Sequence, residues 1–195
     1  MNDSHPHYFI AVPVPKEVQQ QVHQLSLSAK QRLPFKQWVF PADYHITLQF
    51  LGAVSDDQVN KLHSMLQPTT AASSPFSLQL NGWNTFGSPR SPRILWIGVQ
   101  GELQPLSSLQ IRITDTTAEL GFPTESRAYT PHITVAKHYT GPVPINKQWL
   151  QQEELRMPSE ARWEVTELVL YRIYPQRQPK YAAVYTYPLS APQLT

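Results

Sequence analysis

The chain has 195 residues, and 41% of them are hydrophobic, which is enough to form a buried core. It contains no cysteine, which excludes disulfides, thiolate metal sites and a cysteine nucleophile. The net charge of +2 is far from the dense positive charge of a protein that binds duplex nucleic acid tightly. The first residues are polar, and the apolar run after them is too short for a signal or membrane helix. We therefore expect a cytoplasmic protein.

Strands alternate with helical segments along the chain. The apolar run 8–14 predicts a buried strand, and apolar residues three or four apart in 16–32 predict a helix. Ser55 has the side chain of an N-cap and begins a second helix. The other predicted segments are strands at 38–40, 45–51, 76–80 and 94–99, a helix at 103–120, strands at 132–136, 163–173 and 181–188, and loops at 67–75, 87–93 and 174–180.

The tripeptide His-Ile-Thr occurs twice in these strands, at 45–47 and at 132–134. Side chains two residues apart on a strand point to the same face, so each copy presents an imidazole beside a hydroxyl. Two imidazoles brought together supply a general acid and a general base. Two threonines and a nearby cation form a binding site for an anion. This set of groups suits cleavage of a phosphodiester without a metal ion.

The duplication extends beyond the tripeptide. The two histidines are 132 − 45 = 87 residues apart, and the same offset aligns 8–12 with 95–99 and 76–80 with 163–167. The apolar alternation is largely kept in both alignments, and Leu80 against Glu167 is the clear exception. We predict one bilobed domain over residues 1–195, with an internal repeat at roughly 8–83 and 94–170 and a closing strand at 181–188.

Four segments carry a resemblance to a known family: 8–14 with Pro15, His-Ile-Thr-Leu-Gln-Phe-Leu-Gly at 45–52, Arg-Ile-Leu-Trp-Ile-Gly-Val at 93–99, and Arg-Ala-Tyr-Thr-Pro-His-Ile-Thr-Val-Ala-Lys at 127–137. Their order and spacing resemble the 2H phosphoesterase superfamily. More narrowly they resemble its bacterial RNA 2′,3′-cyclic phosphodiesterases, historically called 2′-5′ RNA ligases. The resemblance implies an α+β fold of two pseudo-symmetric lobes. Each lobe would be an antiparallel sheet flanked by helices, with the active-site cleft between them.

The resemblance also implies the reaction, which is hydrolysis of RNA 3′ ends or nucleotides bearing a 2′,3′-cyclic phosphate to 2′-phosphomonoesters. His45 would be the proton donor and His132 the proton acceptor. Thr47 and Thr134 would donate hydrogen bonds to the non-bridging phosphate oxygens. We expect no cofactor, no metal ion, no membrane or duplex nucleic acid as partner, and a monomer.

Four further residues are candidates for the site. Lys137 stands where the family usually carries a phosphate-binding arginine. Strand parity points it away from His132, so a bulge or the end of the strand has to redirect it. Arg127 is a candidate for the phosphate or for tying down the loop before the second motif. Phe9 and Tyr129 are candidates for stacking on a nucleobase, or for the core.

Other functions stay open at this point. The same residues run in reverse would join RNA ends through a 2′-5′ bond, and a small cyclic-phosphate nucleotide would suit the same chemistry as an RNA end. A metal site built from the two histidines lacks a carboxylate at ligand spacing within either motif. A catalytically silent module that binds RNA ends would not need a matched acid–base pair.

Overall fold

The computed structural model describes residues 5–88, 90–145, 150, 157–158 and 161–190. Within these ranges the protein has an α+β fold with three α-helices and nine strands, which confirms the predicted fold class. A short 3-10 helix at Pro41–Asp43 precedes the third strand. The elements are β1 (His7–Pro13), α1 (Lys16–Lys30), β2 (Phe35–Trp38), β3 (His45–Ala53), α2 (Asp56–Ala71), β4 (Phe76–Ser88), β5 (Ser91–Gly101), α3 (Leu103–Ala118), β6 (His132–Tyr139), β7 (Arg162–Val165), β8 (Glu167–Ile173) and β9 (Tyr181–Pro188).

The strands of the described ranges form a single sheet in the order β7-β4-β5-β6-β3-β1-β8-β9, and β2 pairs with β6 beside this path. The pairs along it are antiparallel. The two His-Ile-Thr strands, β3 and β6, are therefore neighbours at the middle, where the half-sheets of the two lobes meet. Each half-sheet includes a strand from the other half of the chain, because β8 pairs with β1 and β4 pairs with β5.

The three helices cover one face of this sheet. Apolar residues at helical spacing, such as Val22 in α1, Leu62 in α2 and Leu109 in α3, join strand residues in one buried cluster. The opposite face stays open around β3 and β6. Among the helices of the described ranges, none is long and apolar enough to cross a membrane.

Four predicted segments had wrong boundaries, each because long-range packing or pairing overrides local composition. The strand predicted at 38–40 is β2 at Phe35–Trp38, where it pairs with β6. Helix α2 ends at Ala71, so it includes the first five residues of the predicted loop 67–75. It continues this far because Leu66 and Thr70 are buried and the Thr70 hydroxyl donates to the Leu66 carbonyl. Strand β4 continues to Ser88, since its last residues pair with the start of β5. The predicted strand 163–173 is two strands, of which β7 pairs with β4 and β8 with β1.

The strands beside the two motif strands differ in register from the aligned repeat. Phe9 of β1 lies opposite Phe50 of β3, whereas Ile94 of β5 lies opposite Lys137 of β6. Phe50 and Lys137 are 87 residues apart, but Phe9 and Ile94 are 94 − 9 = 85 residues apart. The alignment of 8–12 with 95–99 is therefore two residues out of structural register.

The start of α2 gives a test of the sequence-based N-cap. The Ser55 hydroxyl accepts the Gln58 backbone N–H, and the Gln58 side chain accepts the Ser55 backbone N–H, which forms a capping box. Ser55→Ala should lower the free energy of unfolding by about 1 kcal/mol in urea denaturation. Ser64→Ala, an exposed hydroxyl inside the same helix, is the control and should change it by less than about 0.5 kcal/mol. Equal losses in both variants would contradict a specific role for the cap.

Candidate active site

One residue pair sets the arrangement of the two motifs. Ile46 of β3 lies opposite Ile133 of β6, and both side chains are 0% exposed. Because side chains alternate along a strand, the histidine and threonine on either side of each isoleucine point to the open face. The strands are antiparallel, so His45 lies towards Thr134 and Thr47 towards His132. The structure thus brings the four predicted motif residues together on one surface.

Both imidazoles are held in the same way. The Nδ1–H of His45 donates to the Asp43 carbonyl at 2.7 Å, and the Nδ1–H of His132 donates to the Thr130 carbonyl at 2.7 Å. A carbonyl oxygen only accepts, so Nδ1 carries a proton in each ring. Nε2 is therefore the nitrogen that can take up or give away a proton. The Nε2 of His45 lies 3.1 Å from the Thr47 hydroxyl.

Aromatic rings surround both imidazoles. The ring centre of His45 lies 4.7 Å from that of Phe9 and 5.2 Å from that of Tyr181, which meets it edge-on. The ring centre of His132 lies 4.8 Å from that of Phe86 and 5.5 Å from that of Trp96. These contacts leave the imidazoles little room to rotate and keep water from their faces.

The same enclosure changes the proton affinity of both imidazoles. Burial lowers the pKa of His45 to about 4, although its hydrogen bond to the Asp43 carbonyl works in the opposite direction. The positive charge of Lys137, and that of His132 when protonated, lower the pKa of His45 further. Burial also lowers the pKa of His132. Both rings are therefore neutral near pH 7 in the unliganded protein.

A pocket of about 230 Å³ opens beside the two motif strands. It is lined by Phe9, Val39, Asp43, His45, Thr47, Phe50, Thr134, Lys137, Ile173 and Tyr181. His45, both motif threonines and one cation thus share a single concave surface. His132 is not among the lining residues, but its charge, when protonated, acts on His45.

A β-bulge turns Lys137 into this pocket. Leu95 pairs with Ala136 and Trp96 pairs with Thr134, which leaves Val135 as an extra residue in β6. The bulge reverses the alternation, so that Lys137 comes to the same face as Thr134. The sequence analysis predicted that a bulge or the end of the strand redirects Lys137, and the structure has a bulge. Burial and the nearby charge of Lys180 lower the pKa of Lys137.

An equivalent bulge in β3 brings Phe50 to the pocket, and the sequence analysis did not identify this residue. Ile10 pairs with Gln49 and Ala11 with Thr47, so Leu48 is the extra residue. Phe50 follows His45 by five residues, as Lys137 follows His132. Its side chain lines the pocket and is 56% exposed. The repeated five-residue spacing was the signal that would have found it.

The other three candidates make contacts of their own, and of these three Phe9 lines the pocket. Arg127 forms an exposed ion pair with Glu125 at 2.7 Å and does not line the pocket. The Tyr129 hydroxyl donates to the Thr47 carbonyl at 3.2 Å, so this residue ties the loop before β6 to β3. Phe9 is 3% exposed and packs against His45, Tyr171 and Tyr181, which leaves its ring little open surface. These placements speak against base stacking by Phe9 and Tyr129.

Residues 5–177 match the model of the 2′-5′ RNA ligase superfamily. The chain belongs to this superfamily. It is 40% identical over 185 residues to an RNA 2′,3′-cyclic phosphodiesterase of Geobacillus stearothermophilus, a match that covers 94% of this chain and 57% of that protein. It is 33% identical to the enzyme of the same name from Bacillus subtilis (strain 168), over 97% of this chain and all of that protein. This superfamily member thus spans little more than half of the first relative and the full length of the second.

The fold is also that of solved structures. The E. coli LigT structure complexed with 3′-AMP superposes with a TM-score of 0.77 at 23% identity, covering 95% of this chain and 99% of that one. At this level of identity the likeness shows the shared fold.

The charge of Lys137 gives a test of the electrostatics in this superfamily site. In Lys137→Gln the cation beside His45 is lost, the imidazolium is destabilised less, and the pKa of His45 should rise. The pKa of His132, which burial governs, should move less. Titration of the ring protons by NMR measures both. Lys61→Gln, an exposed lysine of α2, is the control and should move neither pKa; a fall in the pKa of His45 in Lys137→Gln would refute the assigned cause.

Proposed function

We propose that the protein hydrolyses the 2′,3′-cyclic phosphate at RNA 3′ ends to a 2′-phosphomonoester, with His45 and His132 as the acid–base pair. The observation that carries the proposal is the pair of imidazoles on one face of β3 and β6. Each holds a proton on Nδ1, which leaves Nε2 to exchange a proton, and His45 shares its pocket with two threonine hydroxyls and one lysine. The names of the relatives support this substrate class.

The reaction uses one proton transfer at each histidine. Water attacks phosphorus, and the Nε2 of His132 takes its proton. The bond between phosphorus and the 3′ oxygen breaks, and the Nε2 of His45 gives its proton to that oxygen. The 2′ ester bond remains. The net transfer of one proton from His45 to His132 is reversed through solvent before the next cycle.

The phosphate itself prepares the acid. The pKa of His45 is lowered to about 4, so the ring is mostly neutral at pH 7. A bound phosphate anion beside it favours the imidazolium and raises that pKa. Thr47 and Thr134 donate hydroxyl hydrogen bonds to the non-bridging oxygens, where negative charge grows in the transition state. Lys137 adds a positive charge to the same oxygens, as a point charge without the two-pronged geometry of an arginine.

The exposed ring of Phe50 suits the base of the terminal nucleotide. It lies at the pocket with more than half of its surface open. Stacking on an aromatic ring is a common way to hold a single-stranded base, and it tolerates any base. Phe50 thus replaces Phe9 and Tyr129 as our candidate for this contact.

Joining a 2′,3′-cyclic end to a 5′-hydroxyl would use the same groups in reverse, in keeping with the name of the superfamily. Water is present at a far higher concentration than any RNA 5′ end, so hydrolysis is the net direction. We propose that the protein acts in the cytoplasm as a monomer. Its residues 1–195 form one domain, and the reaction requires neither a cofactor nor a metal ion.

Removal of either histidine tests the acid–base pair. His45→Ala and His132→Ala should each lower kcat by about 10²- to 10⁴-fold on a short RNA with a 2′,3′-cyclic phosphate, assayed in EDTA. NMR of the product should show a 2′-phosphate. His23→Ala, on helix α1, is the control and should keep the wild-type rate. Full activity in either site variant, or loss of wild-type activity in EDTA, would overturn the mechanism.

The pKa of His45 predicts the pH dependence. The parameter kcat/KM reports the unliganded enzyme, in which His45 has to be protonated and His132 neutral. Above about pH 6.5 both rings are neutral, so kcat/KM should fall about tenfold per pH unit. The fall in kcat should begin at a higher pH, because bound phosphate raises the pKa of His45. Initial rates between pH 5 and 9 measure both curves; a rise in kcat/KM from pH 6.5 to 8 would contradict the assigned roles.

A further inference from the structure

Asp43 holds a buried carboxylate next to the pocket. The residue is 4% exposed, and both of its carboxylate oxygens accept the Lys180 backbone N–H, at 2.9 and 3.0 Å. Its Oδ1 also accepts the Tyr181 backbone N–H at 3.1 Å. Burying a carboxylate is unfavourable unless hydrogen bonds replace its water. These bonds fix the end of the loop between β8 and β9 at the pocket wall.

The same residue also holds the proposed general acid. The Asp43 carbonyl accepts the Nδ1–H of His45, and Tyr181, which the carboxylate holds, meets the His45 ring edge-on. Asp43 therefore sets His45 and the start of β9 at a fixed distance from each other.

This arrangement places Lys180 at the rim of the pocket. Its backbone N–H is bound to one pocket residue, Asp43, and it directly precedes another, Tyr181. Its side chain is exposed, and its charge is close enough to Lys137 to lower the pKa of that group. Two lysines whose charges act on each other repel, and an anion bound between them relieves the repulsion.

The neighbouring cations of this hairpin are arranged differently. The guanidinium carbon of Arg177 lies 3.8 Å from the centre of the Tyr174 ring, and that of Arg172 lies 4.8 Å from the same centre. Both guanidinium groups thus stack on an aromatic side chain.

We propose that Lys180, held in place by Asp43, binds a second phosphate of the substrate, on the 5′ side of the terminal ribose. This inference rests on the proposed function, in which Thr134 and Lys137 receive the reacting phosphate inside the pocket. Lys180 stands further out at the rim, where the next phosphate along an RNA chain, or the 5′-phosphate of a nucleotide, would lie. Asp43 is then a positioning residue and Lys180 a substrate-binding residue.

Binding of product-like ligands tests the inference without turnover. The ligands are adenosine 2′-phosphate, adenosine 2′,5′-bisphosphate and an RNA trinucleotide ending in a 2′-phosphate, titrated calorimetrically at several salt concentrations. Lys180→Gln should weaken binding of a ligand with a second phosphate about fivefold at low salt, relative to adenosine 2′-phosphate. The slope of log affinity against log salt for the trinucleotide should decrease by about 0.7, as expected for one lost phosphate contact. Lys61→Gln removes the same charge from α2 and is the matched control.

The ligands separate the possible sources of the second phosphate. Weaker binding of both the bisphosphate and the trinucleotide assigns Lys180 to the phosphate attached to the terminal 5′ oxygen, whichever molecule carries it. Weaker binding of the trinucleotide alone assigns it to the RNA backbone further upstream. The same relative affinities in Lys180→Gln, Lys61→Gln and wild type would overturn the inference. Failure of the proposed function is a separate result, since it is the absence of turnover of cyclic-phosphate RNA by wild type.

A double-mutant cycle tests the positioning role of Asp43. In Asp43→Asn the amide group turns a donor towards the backbone N–H groups, so the start of β9 shifts and Lys180 loses its place. Trinucleotide binding should weaken as in Lys180→Gln, and the double variant should bind no more weakly than either single variant. A purely structural role would lower the melting temperature and leave the salt slope at its wild-type value. Because Lys180 is exposed, Lys180→Gln decides the inference by itself if Asp43→Asn does not fold.

Discussion

The pairing of Ile46 with Ile133 is the constraint on which the site depends. Both side chains are fully buried beneath the helices, so neither strand can slip by one residue without turning an isoleucine out and a histidine into the core. The hydrophobic effect thus determines the face of the sheet on which the two motif histidines and two motif threonines lie, although these four residues contribute little to the core. A second, local constraint acts on each ring, since a backbone carbonyl two residues earlier selects its tautomer.

The protein's own groups oppose the charged form of the proposed acid, His45. Burial and the Lys137 cation both disfavour the His45 imidazolium. In the proposed mechanism the phosphate of the substrate offsets both effects, because an anion beside His45 favours its imidazolium. The aromatic rings around both histidines support this coupling, because they keep water away and strengthen each charge interaction in the pocket.

The sequence was sufficient for the two motif strands and for the start of α2. Two His-Ile-Thr strands in matching surroundings predicted a pair of related strands that share a face, and the Ser55 cap marked the start of α2 correctly. It was insufficient wherever strand pairing or a side chain's role depends on a residue far away in the sequence. The exchange of β4 and β8 between the half-sheets has no local signature. In the sequence Asp43 is an ordinary residue before a strand, and its role depends on backbone N–H groups 137 and 138 residues away.

The equivalent bulges at Leu48 and Val135 bear on the orientation in which a ligand binds. A site with true two-fold symmetry would accept a cyclic phosphate in either of two opposite orientations and would open the ring to a mixture of isomers. In this protein the two equivalent bulges place different side chains at the pocket, which are the aromatic ring of Phe50 in β3 and the cation of Lys137 in β6. A nucleotide has an aromatic end and an anionic end, so one orientation matches both groups and its reverse matches neither. One difference between two otherwise repeated strands is thus enough to give the cleft a direction.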